Sequence, residues 1–497
     1  MNLRNPVMTT AFSAPATRWL PLVAALLLAG CMSHPLAPIA ADAALPVPAH
    51  FTNSPEAQAW TTAPPAEALP RGAWWLGFSD PVLTSLVERA TDGNTGIQEA
   101  AARLAEARSL LRAADAQRAP QLGVSTGAAR QAGLTTTGSA VPATVVSAGL
   151  NLSYELDLFG RLSQASDAAR LDAQARTALL QSTRLLVQAE VAQTYLQLRA
   201  VQTEHSLVTE SVTAYRNTLH LTQRRFQAGD VAELDVARVQ TEVAATEAEA
   251  LALALQQTQL QHALAVLVGE VASGFTVPTA ATESALPVVP PGVPATVLAR
   301  RPDVAAAQAS VMAAQARVGV AEAAWFPAIT LTGNGGHASP ELSDLFKWSA
   351  RSWGIGALLS LPLFDGGQRA AQEEGARARL EGAMAAHRGQ VLTAFREVED
   401  QLSALSLLEG QAEAQGRAVQ SASRATQLSD SRYRNGFVSQ LELLDARRSE
   451  LRSRRQALLV RTAQYTATVG LIRALGGGWE AQHQAAAATQ ILAAAQR

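Results

Sequence analysis

The sequence has little cysteine, little net charge and no long apolar run after its start, and each shortage excludes a class of protein. One cysteine among 497 residues excludes a disulfide framework and any cysteine-based zinc or iron–sulfur site. The 40 basic and 42 acidic residues nearly cancel, so charge gives no reason to expect a nucleic-acid partner. Beyond residue 31 no stretch reaches the length of a transmembrane helix, so any membrane-spanning part must be built from strands.

The first thirty residues have the pattern of an export signal. Arg4 and Arg18 precede an apolar stretch at residues 19–29, which is too short to span a bilayer and suits a secretory signal. The stretch ends in Leu-Ala-Gly before Cys31, an arrangement that resembles a bacterial lipobox. We therefore expect cleavage before Cys31 and attachment of lipid, such as palmitate, to this residue. The alternative is an ordinary small-residue cleavage site with an incidental cysteine.

The rest of the chain is a tandem duplication. Pro120 and Pro327 lie in similar short motifs, as do Gly229 and Gly436, and each pair is 207 positions apart. Between them, residues 156–159 match residues 361–364 at a separation of 205, with two extra residues within 365–367. Each copy is therefore expected to form the same unit: a helix, a strand pair, a very long helix, a glycine break and a long helix.

Two strand segments in each copy are predicted to be amphipathic. Residues 146–158 alternate strictly between apolar and polar side chains, and residues 355–363 repeat the apolar positions. Shorter partner strands are predicted near residues 122–128 and 329–335. An outer-membrane strand needs such alternation over about ten residues, although a soluble sheet can show it too.

The helical segments are unusually long. Residues 161–228 contain neither glycine nor proline and are rich in helix formers, which predicts a helix of about 100 Å. Residues 368–435 correspond to them in the second copy, and shorter helices are predicted at 230–268 and 437–475. Helices of this length favour a coiled coil or a tube of packed helices over one compact domain.

Proline-rich segments suggest the domain boundaries. We expect a signal peptide at residues 1–30, a lipidated extended arm at 31–79, the first repeat at 80–270, a proline-rich linker at 271–299 and the second repeat at 300–479. Residues 480–497 are expected to form a flexible tail.

Four strands from one chain cannot close into a barrel, and an open edge in hydrocarbon leaves backbone groups without partners. Two chains would give eight strands, usually a barrel filled by its own side chains, whereas three would give twelve and leave a lumen. We therefore expect a homotrimer. The expected fold class is an α+β membrane protein whose trimer forms a 12-stranded outer-membrane β-barrel continued by a periplasmic α-helical barrel.

Several motifs together resemble the outer-membrane factor family of tripartite efflux pumps (TolC/OprM-like), in its lipoprotein, NodT-type branch. They are residues 74–75 with 78–83, 300–303, 362–364, 443–446 and 474–479. The resemblance implies a trimeric exit duct for drugs or other toxic compounds, coupled through a periplasmic adaptor to an inner-membrane pump of the RND type. It also implies an outer-membrane location, with a lipid anchor and a β-barrel that spans the membrane. The residue after the lipidated cysteine is Met32 and not aspartate, which fits release to the outer rather than the inner membrane.

The resemblance also assigns residues to the periplasmic aperture. Leu441, Asp445 and Arg448 match the family's constriction, Tyr433 and Glu442 match neighbours in its closed-state network, and Asp235 matches an acidic partner in the first copy. Val438 stands where TolC-like members carry a gating arginine. Glu442, Asp445 and Arg448 are three residues apart and so share a helix face, which a trimer would repeat around a pore. The turn glycines at this end are expected to be Gly229 and Gly436. A plain solvated helix surface is the alternative for each of these residues.

Other function classes are less compatible with the sequence. The scattered histidines lack metal-ligand spacing and the carboxylates follow helical surface patterns, so we expect no enzyme, no cofactor and no metal. A structural coiled-coil protein or a periplasmic adaptor would have long helices but no duplicated strand pair. A type I protein-secretion duct would have the same architecture and stays open as an alternative.

Overall fold

The computed structural model describes residues 72–131, 142–278, 284–287, 289 and 300–477. The predicted signal peptide, Cys31, most of the arm and of the linker, and the tail lie outside this range. The described chain divides into two compact units. The strand unit comprises residues 107–131, 142–173 and 310–384, and the helical unit comprises the remaining described residues.

The elements repeat in the same order in both copies. The first copy contains α1 (Pro81–Gly93), α2 (Thr95–Gln117), β1 (Gln121–Gln131), β2 (Ala143–Leu156), α3 (Arg161–Gln227) and α4 (Glu233–Val268). The second contains α5 (Pro302–Ala323), β3 (Ala328–Ser339), β4 (Arg351–Ser360), α6 (Gln368–Arg434) and α7 (Gln440–Ala474). Short 3₁₀ turns occur at Trp74–Phe78, Leu342–Asp344 and Trp348–Ala350.

The strand unit contains one antiparallel sheet in the order β1-β2-β3-β4. Gln121 of β1 lies opposite Ser153 of β2, and Ala328 of β3 lies opposite Ser360 of β4. Each residue of the second pair is 207 positions after its counterpart in the first pair. The register of the two strand pairs therefore has the same offset of 207 as the proline and glycine motifs in the sequence.

The two faces of the sheet differ in chemistry. Neighbouring positions on one face carry Leu122, Leu152 and Ile355. On the other face Asn151 Nδ2 donates to Ser125 Oγ at 2.6 Å. The predicted alternation thus produces one apolar and one polar surface, as expected for strands that lie between lipid and water.

None of the described helices combines the length and apolar character needed to cross a membrane.

The helical unit has its own apolar core beside the start of the first copy. Phe78 and Leu83 are buried with residues of α3, α4 and α7. Asp80 caps α1 by accepting from the backbone N–H groups of Val82 and Leu83 at 2.9 and 3.1 Å. Its other oxygen accepts from the hydroxyl of Tyr195 at 2.8 Å, which ties α1 to α3. Burial and this bond raise the pKa of Tyr195.

A buried arginine joins the two ends of the second copy. Arg301 donates to Asp303 Oδ2 at 2.6 Å and to the carbonyl of Ala474 at 3.0 Å, and it forms an ion pair with Glu397 at 2.8 Å. Burial by itself would lower the pKa of Arg301, but the bonds to the two carboxylates outweigh burial and raise it. The guanidinium therefore stays charged and links α5, α6 and α7.

Candidate functional site: the turn end of the long helices

Both long helices end in the same glycine turn, within the helical unit. Gly229 follows α3 with φ of 82°, and Gly436 follows α6 with φ of 75°. The N–H of Asp230 donates to Arg225 O at 2.8 Å, and that of Phe437 donates to Arg432 O at 2.9 Å. A left-handed residue after the helix satisfies its last carbonyls, and glycine adopts that conformation without a steric cost.

Four of the six residues assigned to the aperture, Leu441, Glu442, Asp445 and Arg448, lie on α7 just after this turn. Asp445 is exposed and lies 3.4 Å from Arg448, while Leu441, one turn earlier, is half-exposed. Glu442 faces Arg432 across the turn at 3.8 Å. The structure thus places Leu441, Asp445 and Arg448 on one helix face.

Asp235 is placed apart from that face. It lies in the first turn of α4 and pairs with Arg238 on the same helix at 3.9 Å. Within the described chain no ion pair joins Asp235 to Arg448. In one chain, therefore, this acidic residue is not the partner of the aperture arginine.

On the neighbouring helix, Arg448 binds Glu242, a residue that the sequence analysis did not single out. Arg448 Nε donates to Glu242 Oε2 at 3.0 Å, and a second guanidinium nitrogen donates to the other oxygen. The bonds to Glu242 hold the pKa of Arg448 above its usual value. The pair joins α7 of the second copy to α4 of the first.

A second pair of the same kind follows one heptad later. Arg455 donates to Glu249, and its Nε donates to Glu204 of α3 at 2.7 Å. Seven residues separate the two arginines, and seven separate the two glutamates on α4, as in a coiled coil with matched charges. This shared spacing is the sequence signal that could have identified Glu242.

Tyr433 occupies a different environment from its charged neighbours. Its ring is buried and lies under the guanidinium of Arg225, which is 4.9 Å from the ring centre. Its hydroxyl has no hydrogen-bond partner among the described residues, and neither has the buried amide of Gln440. The site therefore combines an exposed charged face with a buried polar group next to the turn.

In the described part of the chain, no cluster of three or more His, Cys, Asp or Glu side chains is arranged to hold a metal ion.

The profile of the family described as "Outer membrane efflux protein" matches residues 86–270 and 293–477. The chain belongs to this family. The two matched segments correspond to the two copies in the structure, so the duplication is shared with the family.

Curated relatives and a solved structure agree with the family assignment. The chain is 33% identical to "Outer membrane protein OprJ" of Pseudomonas aeruginosa over 82% of this chain and 86% of the relative. It is 30% identical to "Cation efflux system protein CusC" of Escherichia coli over 93% and 98%. The crystal structure of "the outer membrane protein VceC" from Vibrio cholerae matches with a TM-score of 0.76 and 28% identity, over 82% of this chain and 99% of that one.

Family membership confirms several expectations from the sequence. This outer membrane efflux protein is an outer-membrane channel component of a tripartite efflux system, and it is not an enzyme. The expected fold class is also confirmed, since the structure contains the duplicated unit and resembles solved outer-membrane channels.

Proposed function

We propose that three copies of this chain form the exit duct of an RND-type efflux system that exports drugs or other toxic compounds. The observation that supports this most directly is the sheet of one chain, in which β1 and β4 each pair with only one neighbour among the described strands. Unpaired edges cannot persist in hydrocarbon, because every backbone group there needs a partner.

Three sheets supply twelve strands, enough for a barrel with a water-filled lumen. The face that carries Asn151 and Ser125 would line the lumen, and the face that carries Leu122 and Ile355 would contact lipid. The long helices α3 and α6 would continue the duct on the periplasmic side. A periplasmic adaptor and an inner-membrane RND pump would deliver the cargo.

The aperture would lie at the turn end of the helices. Leu441, Asp445 and Arg448 share a face that a trimer repeats three times around its axis, so their side chains would form rings across the pore. Glu442, Tyr433 and Asp235 would support these rings from neighbouring positions, and Gly229 and Gly436 would form the turns. Lipid on Cys31 would add an accessory anchor to the barrel.

Relatives that share a similar percentage identity with this chain are named for the efflux of different substances. CusC is named for cation efflux, and "Solvent efflux pump outer membrane protein SrpC" of Pseudomonas putida, at 33% identity, is named for solvent. The compounds that this chain exports should therefore be identified by susceptibility measurements in cells. A deletion strain should become more susceptible to drugs and dyes, and wild type should restore resistance only while an RND pump is present.

Two further measurements complete this test. Wild-type protein in detergent should run as a heat-modifiable trimer, and Cys31→Ser should retain efflux if the lipid is only accessory. A water-soluble monomer, or unchanged susceptibility after deletion, would overturn the proposal.

A further inference from the structure

The apolar face of the sheet has an open trough along its third strand. On this face Gly333 and Gly335 of β3 lie between β2 and β4. A Cβ atom at Gly335 would meet no other atom within 4 Å, so the floor of the trough is open. The flanking strands are about 10 Å apart, since neighbouring strands in a sheet are spaced by about 4.8 Å. The trough is therefore wide enough for a hydrocarbon chain.

Large apolar side chains form the two sides of this trough. Leu150 and Leu152 of β2 lie beside the glycines on one side. Trp353 and Ile355 of β4 lie beside them on the other, and these two side chains are 80% and 84% exposed. Because β3 is paired on both sides within one chain, the trough is complete without a second copy. One chain thus forms an apolar site of defined shape.

One end of the trough is close to the outer end of the sheet. Helix α5 precedes β3 and helix α6 follows β4, so both helices lie at the same end of this strand pair. The loop between the two strands, residues 340–350, lies at the opposite end. In the proposed duct the helices continue on the periplasmic side, so this loop faces the cell exterior. The trough therefore opens towards the outer leaflet of the outer membrane.

Positive charge is concentrated at that end of the apolar face. Among the described strand residues, the acidic and basic side chains other than histidine are Arg130, Glu155 and Arg351. Both arginines lie on the apolar face near its outer end, whereas Glu155 lies on the polar face near the inner end. A lipid-facing arginine costs little near the membrane interface, where its charged group can reach the lipid headgroups. The face is therefore suited to lipids with negatively charged headgroups.

The guanidinium of Arg351 lies beside the outer end of the trough. Arg351 is opposite His337, two residues beyond the pair of Trp353 and Gly335. Its Nε donates to the carbonyl of Trp348 at 3.2 Å, and the guanidinium stacks on the ring of that tryptophan. The side chain is exposed, and no carboxylate in the described part of the chain forms an ion pair with it. Its two terminal nitrogens are thus available to a phosphate group, which a guanidinium binds through two parallel hydrogen bonds.

We propose that the trough binds one phosphorylated lipid of the lipid A class, with an acyl chain between Leu150 and Trp353 and a phosphate group on Arg351. The inference rests on the proposed barrel, because the apolar face must contact lipid. Lipid A is the occupant because it is the main lipid of the outer leaflet and carries both phosphate groups and saturated acyl chains. Lys347 in the nearby loop adds less charge, since Asp344 pairs with it at 2.7 Å.

The experiment is native mass spectrometry of the full-length protein, purified from outer membranes and mixed with defined lipids. Wild type should bind bis-phosphorylated lipid A about tenfold more tightly than the same lipid without phosphates, as expected for hydrogen bonds to a charged group. Arg351→Gln should lose this preference, because it removes the guanidinium. Arg130→Gln is the matched control: it removes the other arginine of the same face, outside the trough, and should bind like wild type.

A second pair of variants tests the apolar part of the site. Gly335→Leu should fill the trough and abolish the binding of lipid A, while the heat-modifiable trimer is retained because the new side chain meets no other atom at its base. Gly127→Leu is the control for this variant. A Cβ atom at Gly127 also has no neighbour within 4 Å, but the residue lies on the polar face, so lipid A binding should be unchanged.

The possible outcomes separate the lipid site from the duct. Equal affinity of wild type for lipid A with and without phosphates would overturn the proposal, as would equally tight binding of phosphatidylglycerol. A Gly335→Leu trimer that binds lipid A like wild type would do the same. In each of these cases an intact wild-type trimer leaves the proposed duct in place. A wild-type protein that is not a trimer in outer membranes would instead contradict the proposed function.

Discussion

Arg448 of the second copy binds Glu242 of the first copy, with its Nε 3.0 Å from the carboxylate. This ion pair joins α7 to α4 within one chain. The carboxylate of Glu242 therefore already balances much of the positive charge of Arg448, without any contact from a neighbouring subunit. Asp445 contacts the same guanidinium at 3.4 Å but has a side chain 63% exposed. Of the three residues on the aperture face, Asp445 is therefore the one whose charge is most available to a pore.

Reversing the charge at Asp445 should raise single-channel conductance in planar bilayers. In Asp445→Lys the new ammonium group lies next to Arg448 and is repelled by it. In a trimer it is also repelled by the two equivalent ammonium groups around the axis, so the aperture should widen. Replacing both Glu442 and Asp445 by their amides should also raise conductance. Unchanged conductance in that double variant would remove both residues from the gate.

Removing the negative charge of Glu242, which binds Arg448 from α4, should also favour the open state of the aperture. Glu242→Gln leaves Arg448 with a weaker partner, and a partly exposed pair of this kind contributes about 1 kcal/mol, roughly fivefold in an equilibrium. The channel should therefore open more often in bilayer recordings. Glu249→Gln is the matched control, because it weakens the pair one heptad farther from the turn. Equal effects of the two variants would show that the gate does not depend on the Arg448 pair.

Arg301 should be far more important for stability than an exposed arginine. Arg301→Met leaves two carboxylates in a largely buried site and should lower the free energy of unfolding by about 3–5 kcal/mol. Arg317→Met removes a pair whose side chains are 48% and 40% exposed, and should cost about 1 kcal/mol or less. Thermal unfolding of the purified proteins in detergent measures both. Similar melting temperatures would contradict the assignment of Arg301 as the link between helices.

Tyr195 should give the protein a pH-dependent contribution to stability in alkali. Its pKa is raised in the folded state by burial and by the bond to Asp80, so its neutral form is favoured there. The contribution is therefore complete below the unfolded value near 10 and declines as pH rises above it. Tyr195→Phe should be less stable at pH 8 by about 1 kcal/mol, and the difference from wild type should shrink above pH 10. A difference that stays constant with pH would argue against this titration.

Much of the architecture could be predicted from the sequence because it depends on local pattern. The alternation at residues 146–158 places Leu150 and Leu152 on one face of any strand, and the structure confirms this. The offset between Gly229 and Gly436 likewise predicts two equivalent turns. The separation of 205 between residues 156–159 and 361–364 stays a prediction, because the register of each strand pair ends before these residues.

The sequence by itself determined the duplicated unit, the amphipathic strands and the lengths of the helices, since each follows from periodicity or self-similarity along the chain. Only the tertiary structure decided that Glu242, and not Asp235, holds Arg448. Long helices present many acidic side chains of similar spacing. Which of them meets a given arginine depends on the rotation and axial position of helices that are distant in sequence, and these are set by the packing of the whole fold.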